Sequence, residues 1–454
     1  MRRWLPAVVI LAAGYVVFMA YAYPGYMSID SAQHLTEARA NHYTDWHPPT
    51  VSLLWHFVDH VIKGPLGMLL LQSLAFLAGL YCWMRRAYQP TAAAALSVFV
   101  FLFPPVVAPM AVVWKDCQMA GYLLLGMSLV LAERRRTRFA GFFLLLVGMA
   151  MRDNSPATTL PFLAFAFAWR PRSKGWGRVA AAVAIWGVMA FSTIEFNKQM
   201  TDQRTYSWYT AVASHDIAGV LKYSRRYSDA ELEQLLEGTP LVVHAHIQWA
   251  VRSRYSPISW WSLLNGDGRI FNWPDTEAQR AAMARAWKQL TRDNKYAYLV
   301  HRYHVFREVL GLFDDHPLTS PMWHGIPAPD YVGPLHIQHE QTSFQIKVGD
   351  ALMWIATETY LFRPHVYFFL ALLLLPLAWR NRDVLALLAS GIVYECSFAP
   401  FGGGDVRYSH WLTITVLVAG LVLFRRRYQR IELAAGEQPP ALDGADEARA
   451  AGRP

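Results

Sequence analysis

The sequence predicts an all-α polytopic membrane protein of about ten transmembrane helices carrying a mainly helical extracytoplasmic domain. Three observations lead there. Of 454 residues, 54% are apolar or aromatic and only 17% are charged, where globular proteins carry roughly 25%. The apolar residues fall in runs long enough, or nearly so, to cross a hydrocarbon core of about 30 Å. The basic residues cluster beside those runs on every second connection, the pattern that orients a membrane protein. The shortage of total charge argues against disorder and against a large enzyme with an ordinary soluble surface. It also makes nucleic acid a poor explanation for the net charge of +9.

The first run, 4–23, follows Arg2 and Arg3. Ala20-Tyr21-Ala22 has the look of a signal-peptidase site, but the run exceeds a usual signal core and reads as a retained signal anchor. Further spans are predicted at 66–84, 92–113, 117–132, 138–151, 156–169, 177–195, 364–379, 384–400 and 409–424. After alternate spans come Arg85 and Arg86, then Arg134, Arg135, Arg136 and Arg138, then Arg170, Arg172, Lys174 and Arg178. The series continues with Arg380 and Arg382, and closes with Arg425, Arg426, Arg427 and Arg430, eighteen basic residues in all with the first pair. The short connections of the other face hold only Arg39, Lys63, Lys115, Arg152, Arg363 and Arg407. That asymmetry predicts cytoplasmic N and C termini.

Four parts follow: a membrane module of about seven helices (1–195), an extracytoplasmic domain (196–348), an interfacial helix with the last three spans (349–430), and a disordered cytoplasmic tail (431–454). The first external loop, 24–65, contains a polar helix near 31–40 and an amphipathic stretch at 51–62. In the external domain, 229–238, 276–291 and 294–312 show apolar spacing near 3.6, so helices are predicted there. Thr276 marks one helix start. Cys82, Cys117 and Cys396 form neither a disulfide framework nor a zinc spacing.

Ionisable residues avoid the span centres, where Gln72 is among the few strongly polar residues, and gather at the external mouths. The clusters are Asp30-Ser31, Asp45-Trp46-His47, Trp114-Lys115-Asp116, Arg152-Asp153-Asn154, Glu395 and Asp405-Val406-Arg407-Tyr408. Helix-end loops of one face can thus ring a single site beneath the external domain. A transporter more often places such groups at the midplane. An acidic residue here can deprotonate an acceptor, while Arg and Lys can hold a phosphate. Those are the needs of an enzyme that takes a sugar from a lipid phosphate carrier. Each residue also has a structural reading. Asp30 can cap a helix, Asp45 and His47 can shape a turn, Lys115 can pair with Asp116, Arg152 can snorkel, and Arg407 can pair with Asp405. Glu395, within an apolar segment, needs a partner or a cavity. In the external domain, His215-Asp216 could reach the site, His244-Ala245-His246 is a weak metal pattern, Asp314-Asp315-His316 reads as a solvated turn, and Arg302 and Arg307 read as a charged helix face.

Four segments carry a family resemblance. They are Tyr23-Pro24-Gly25-Tyr26-Met27-Ser28-Ile29-Asp30, His47-Pro48-Pro49, Trp114-Lys115-Asp116, and Gly402-Gly403-Gly404-Asp405-Val406-Arg407-Tyr408. In layout and motif the chain resembles bacterial GT-C glycosyltransferases over about 1–200 and 350–430. That class includes protein O-mannosyltransferases and aminoarabinose transferases of lipid A. The resemblance implies a GT-C-like membrane enzyme using a polyprenyl-phosphate sugar donor. Its acceptor would be a glycolipid, a polysaccharide or a protein. It implies Asp30 as the base, Asp116 as a second acidic residue, and Arg407 and Tyr408 near the donor phosphate. Lys115, Arg152, His47 and Glu395 complete the expected substrate-binding set. Many relatives carry paired acidic residues where this chain has Asp30-Ser31, which keeps Asp45 as a rival base. The class varies in its use of metal, so no cofactor is assigned and a divalent ion stays open. The rival functions are a lipid-linked sugar transporter or flippase and a non-catalytic envelope-assembly protein.

Overall fold

The computed structural model describes residues 4–168, 175–313, 322–326, 333–337, 340–401 and 403–434. The expectations placed on Arg2, Arg3, Arg170, Arg172, Lys174, Asp314-Asp315-His316 and the tail beyond 434 lie outside the described residues. The described chain is helical, with isolated bridges and no named strand.

The N-terminal part contains α1 (Leu5–Ala22), α4 (Leu66–Met84), α5 (Pro90–Phe101), α6 (Pro104–Met110), α7 (Lys115–Val130), α8 (Arg135–Ala150), α9 (Pro156–Ala166) and α10 (Trp176–Met200). Between α1 and α4 lie α2 (Ile29–Ala40) and α3 (Pro49–Val61). Five segments, 5–22, 66–84, 176–200, 382–400 and 406–429, are long and apolar enough to cross a membrane. Pro156–Ala166 and Pro364–Ala378 are shorter apolar helices. The chain therefore has the make-up of a membrane protein.

The predicted single span 92–113 needs correction. It is two helices, α5 and α6, bent by 70°. Pro104 and Pro105 cause the break. Neither has an N–H for the helix ladder, and Pro104 drives Phe103 into an extended conformation (ψ 131°). The short helix α6 ends at Met110, which leaves carbonyls to be satisfied inside apolar packing, and Gln72 supplies the donor. Its amide donates to Met110 O at 2.9 Å and Val112 O at 2.8 Å, while its own oxygen accepts from Gln118 at 3.0 Å. We expect Gln72→Leu to destabilise the bundle by about 1–3 kcal/mol for each orphaned carbonyl. Thermal unfolding in detergent measures this, and an unchanged midpoint would refute the role.

Helices α4 and α7 run parallel and close, because α7 presents Gly121 at their contact. A Cβ there would meet Gln72 O at 2.7 Å. Three further helices close the bundle: α17 (Ser343–Glu358), α18 (Pro364–Ala378) and α19 (Arg382–Cys396). The last long helix, α20 (His410–Ala434), packs on α18 and α19. At one end Asp383 accepts from Arg86 at 3.1 Å and from Arg426 at 2.8 and 2.9 Å, joining three of the connections expected to share a face. Arg86 follows α4 and Lys115 opens α7, so these parallel helices put the two residues at opposite ends of the bundle.

The region between α10 and α17 builds a hydrophobic core of its own around Ile217, Leu221, Leu232, Val251, Phe271 and Leu290. Its helices are α11 (Ser214–Tyr223), α12 (Asp229–Leu235), α13 (Ile247–Arg254), α14 (Trp261–Leu264), α15 (Glu277–Asp293) and α16 (Lys295–Val309). A π-helical turn, Trp208–Ala213, leads into α11. Thr276 caps α15 through a reciprocal box with Gln279. The three cysteines are free.

Candidate functional site

Asp30 stands in the first turn of α2, but it is not the cap. Ser28 is: its hydroxyl accepts the Ser31 N–H at 3.4 Å, and the Ser31 hydroxyl accepts the Ser28 N–H at 3.1 Å. The same two serines fasten α2 to the approach of α7. Ser31 donates to Val113 O at 2.8 Å, and Trp114 Nε1 donates to Ser28 Oγ at 2.8 Å. A parallel bridge between Tyr26 and Val112 completes the join. Local capping thus leaves the Asp30 carboxylate unused and brings it beside Lys115.

Arg407 Nη2 donates to Asp30 Oδ2 at 2.8 Å, and Arg407 Nε lies 2.8 Å from Asp405 Oδ2. The structure therefore gives Arg407 both its expected partner, Asp405, and a second across the fold. Lys115 Nζ lies 3.9 Å from Asp30 Oδ2 and 3.0 Å from His47 Nδ1. Burial pushes the Lys115 amine down to about 7; in its ammonium form it can only donate, so the His47 Nδ1 lone pair accepts and the ring proton sits on Nε2. Nε2 faces Asp30 Oδ1 at 3.8 Å. Burial, then the Lys115 charge, pushes the His47 pKa down to about 4 against the pull of Asp30. Its imidazole is neutral at pH 7. Burial alone would raise the Asp30 carboxyl, but Arg407, His47 and Lys115 together hold it well below the usual range.

Asp116 does not pair with Lys115. It forms a buried ion pair with Arg152, which corrects the reading of Arg152 as a snorkelling residue. Arg152 lies 4.6 Å from the centre of the Tyr408 ring, and Arg407 lies 5.5 Å from it. Arg407 also covers Trp114 at 5.0 Å. Glu395 accepts from Ser409 at 2.6 Å, and its second oxygen has no hydrogen-bond partner among the described residues. Asp45 is directed elsewhere, since its Oδ1 accepts from the backbone N–H of Thr205 and from the Thr205 hydroxyl at 2.7 Å. In this arrangement it ties the loop before α3 to the segment after α10.

The structure thus brings Asp30, His47, Lys115, Asp116, Arg152, Arg407 and Tyr408 into one connected group. Beside it lies a cavity of about 450 Å³ lined by Asp45, His47, Arg152, Asp153, Asn197 and Trp208 among others. Sequence reasoning missed a buried polar chain packed against His47. The His34 ring lies 4.8 Å from His47, its Nδ1 is 3.0 Å from Ser52 Oγ, and Ser52 donates to Glu37 at 2.7 Å. The spacing of Asp30, His34 and Glu37 on one helical face was the available signal. Asp216, expected within reach of the site, is instead buried between α11 and α16 with His301 and Arg302, so Arg302 is no solvated face. His244 and His246 face Glu233 and Asp229 separately. Among the described residues no group of three or more His, Cys, Asp or Glu is placed to hold a metal.

No family model matches the chain, and no significant match to a curated protein or a solved structure is found.

Proposed function

We propose that the chain is a GT-C-like glycosyltransferase of the bacterial inner membrane, with ten spans and cytoplasmic termini. It moves a sugar from a polyprenyl-phosphate-linked donor to a glycolipid, polysaccharide or protein on the outer side. The observation carrying this reading is the contact between Asp30 and Arg407, 2.8 Å apart across 377 residues. It joins an acidic residue of the first external loop to a cation before the last helix, with Lys115 and the Arg152–Asp116 pair alongside. A base and phosphate-binding cations at one helix-end site fit transfer from a lipid phosphate.

In the reaction, an acceptor oxygen attacks the anomeric carbon of the donor sugar. The bond from that carbon to the phosphate oxygen breaks, the polyprenyl phosphate leaves with the electron pair, and the acceptor proton passes to a carboxylate. Lys115 and Arg407 oppose the charge gathering on the departing phosphate. A phosphate at Arg407 competes with Asp30 for the guanidinium, so donor binding frees the carboxylate to act as a base. Charge balance links the two events.

Purified protein supplied with a set of polyprenyl-phosphate sugars and envelope extracts should transfer label. Asp30→Asn should abolish transfer while the protein still purifies folded. Full activity in Asp30→Asn would overturn Asp30 as the base. Bidirectional movement of intact donor without bond cleavage would favour a flippase instead.

A further inference from the structure

The polar groups lining the 450 Å³ cavity divide into two kinds. Some build the wall. Asn197 accepts from the Thr50 backbone N–H and hydroxyl at 3.2 and 2.6 Å and donates to Ala150 O at 3.0 Å, and Asp45 is held by Thr205. Others are left over. Among the described residues Asp153 and Arg204 are exposed and have no ion-pair or side-chain hydrogen-bond partner.

One side of the cavity is aromatic and fixed. Trp208 stands edge-on to Trp287 at 5.2 Å and to Tyr209 at 5.0 Å, at the start of the π-helical turn, a geometry frequent at functional sites. Tyr206 has a positive φ of 54°, rare for a bulky residue, and Arg280 stacks 3.7 Å from its ring centre. The cavity joins the Asp30–Arg407 group through two shared residues, since His47 faces Asp30 and Arg152 covers Tyr408. Its volume lies within the range of small-molecule sites, roughly 300–1,000 Å³.

We infer that this cavity is a carbohydrate site: it holds the hydroxylated ring of the acceptor against Trp208, with the Asp153 carboxylate taking a ring hydroxyl. The identification of the ring as an acceptor rests on the proposed transferase activity; the carbohydrate site itself does not. A flat aromatic face with spare hydrogen-bonding groups at its edge suits a ring that is apolar on its faces and polar at its rim. A lipid tail would leave Asp153 and Arg204 without any function at the wall.

Binding can be read without turnover. Saturation-transfer NMR on the full chain in nanodiscs would use methyl α-D-mannopyranoside, methyl β-D-galactopyranoside and methyl β-D-glucopyranoside, with the matching n-octyl glycosides as a second arm. We expect at least one glycoside to bind, with binding weakened tenfold or more by Trp208→Ala and by Asp153→Asn but kept by Trp208→Phe. Binding of undecaprenyl phosphate should survive Asp153→Asn and be lost in Arg407→Ala. Preference for octyl over methyl glycosides assigns a glycolipid, and equal binding assigns a free glycan. Failure of all six probes, or binding indifferent to both Trp208→Ala and Asp153→Asn, overturns the site. Glycoside binding lost in Asp153→Asn, without transfer by the wild type, keeps the carbohydrate site and removes only the transferase reading.

Discussion

Arg407→Ala will lower transfer by about 100-fold to 1,000-fold, the cost of removing one preorganised donor from developing charge. The residue contacts both Asp30 and Asp405 and lies against Trp114 and Tyr408, so its loss removes a cation and the contact that orients the carboxylate. Arg407→Lys will not restore activity. A single ammonium on a flexible stem cannot hold Asp30 through Nη2 and Asp405 through Nε together. A pH signature separates this effect from general damage. In the wild type, burial would raise the Asp30 carboxyl and the neighbouring cations more than reverse that. Its folded pKa is therefore depressed. The pairing contributes stability above the unfolded value of about 4 and loses it as pH falls through the folded value. Removing Arg407 leaves burial opposed only by His47 and Lys115, so the acid limb of the rate profile should move to higher pH. More than a third of wild-type activity with an unshifted profile would exclude Arg407 from the site.

Much of this site was legible in the sequence, because helix ends are where polar residues stand out against apolar runs. Asp30, Lys115, Arg152 and Arg407 were visible on that ground, and the fold brings them together. What the sequence could not show was pairing. Lys115 precedes Asp116, and proximity along the chain suggested that they pair. Yet consecutive helical side chains diverge, and Asp116 turns to Arg152 while Lys115 turns to His47. Asp30 resembled a cap because Ser-Ile-Asp-Ser offers three overlapping choices, and only the backbone selects Ser28. The bend at Pro104 was readable from residue type, but the run's even hydropathy concealed it. Asp45 and Asp216 show the other limit. Their partners, Thr205 and the His301–Arg302 pair, lie 160 and 85 residues or more away, beyond anything periodicity reports.

The second large effect falls on stability. Asp216 is wholly buried in the helical region between α10 and α17, where Oδ1 accepts from Arg302 at 2.7 Å and from His301 Nε2 at 3.0 Å, and Oδ2 from Trp287 at 2.7 Å. His301 Nδ1 in turn meets the Tyr255 hydroxyl at 2.8 Å, so the Tyr255 hydroxyl donates there and the imidazole proton points to the carboxylate. Gly219 makes room for the ring, since a Cβ there would collide with the imidazole. Asp216→Ala should cost about 3–5 kcal/mol, because it leaves a buried guanidinium without this carboxylate. Asp216→Asn should also destabilise, as its amide hydrogens would face Arg302. Acid should act on the same cluster. Burial depresses His301 against the pull of Asp216, and burial with the His301 charge takes His215 down to about 3. The unfolded chain then binds more protons than the folded one below about pH 6.5. Stability is full above that value and falls by about 1.4 kcal/mol per pH unit for each histidine as pH drops. Burial would raise Asp216, but His301 and Arg302 hold it low, so its contribution is lost only in stronger acid. Protection factors in α11 and α16, taken against the intrinsic exchange rate at each pH, should therefore fall between pH 7.5 and 5 while those in α4 and α7 hold. Equal protection of α11 and α16 at both pH values would show that the cluster does not hold the domain together.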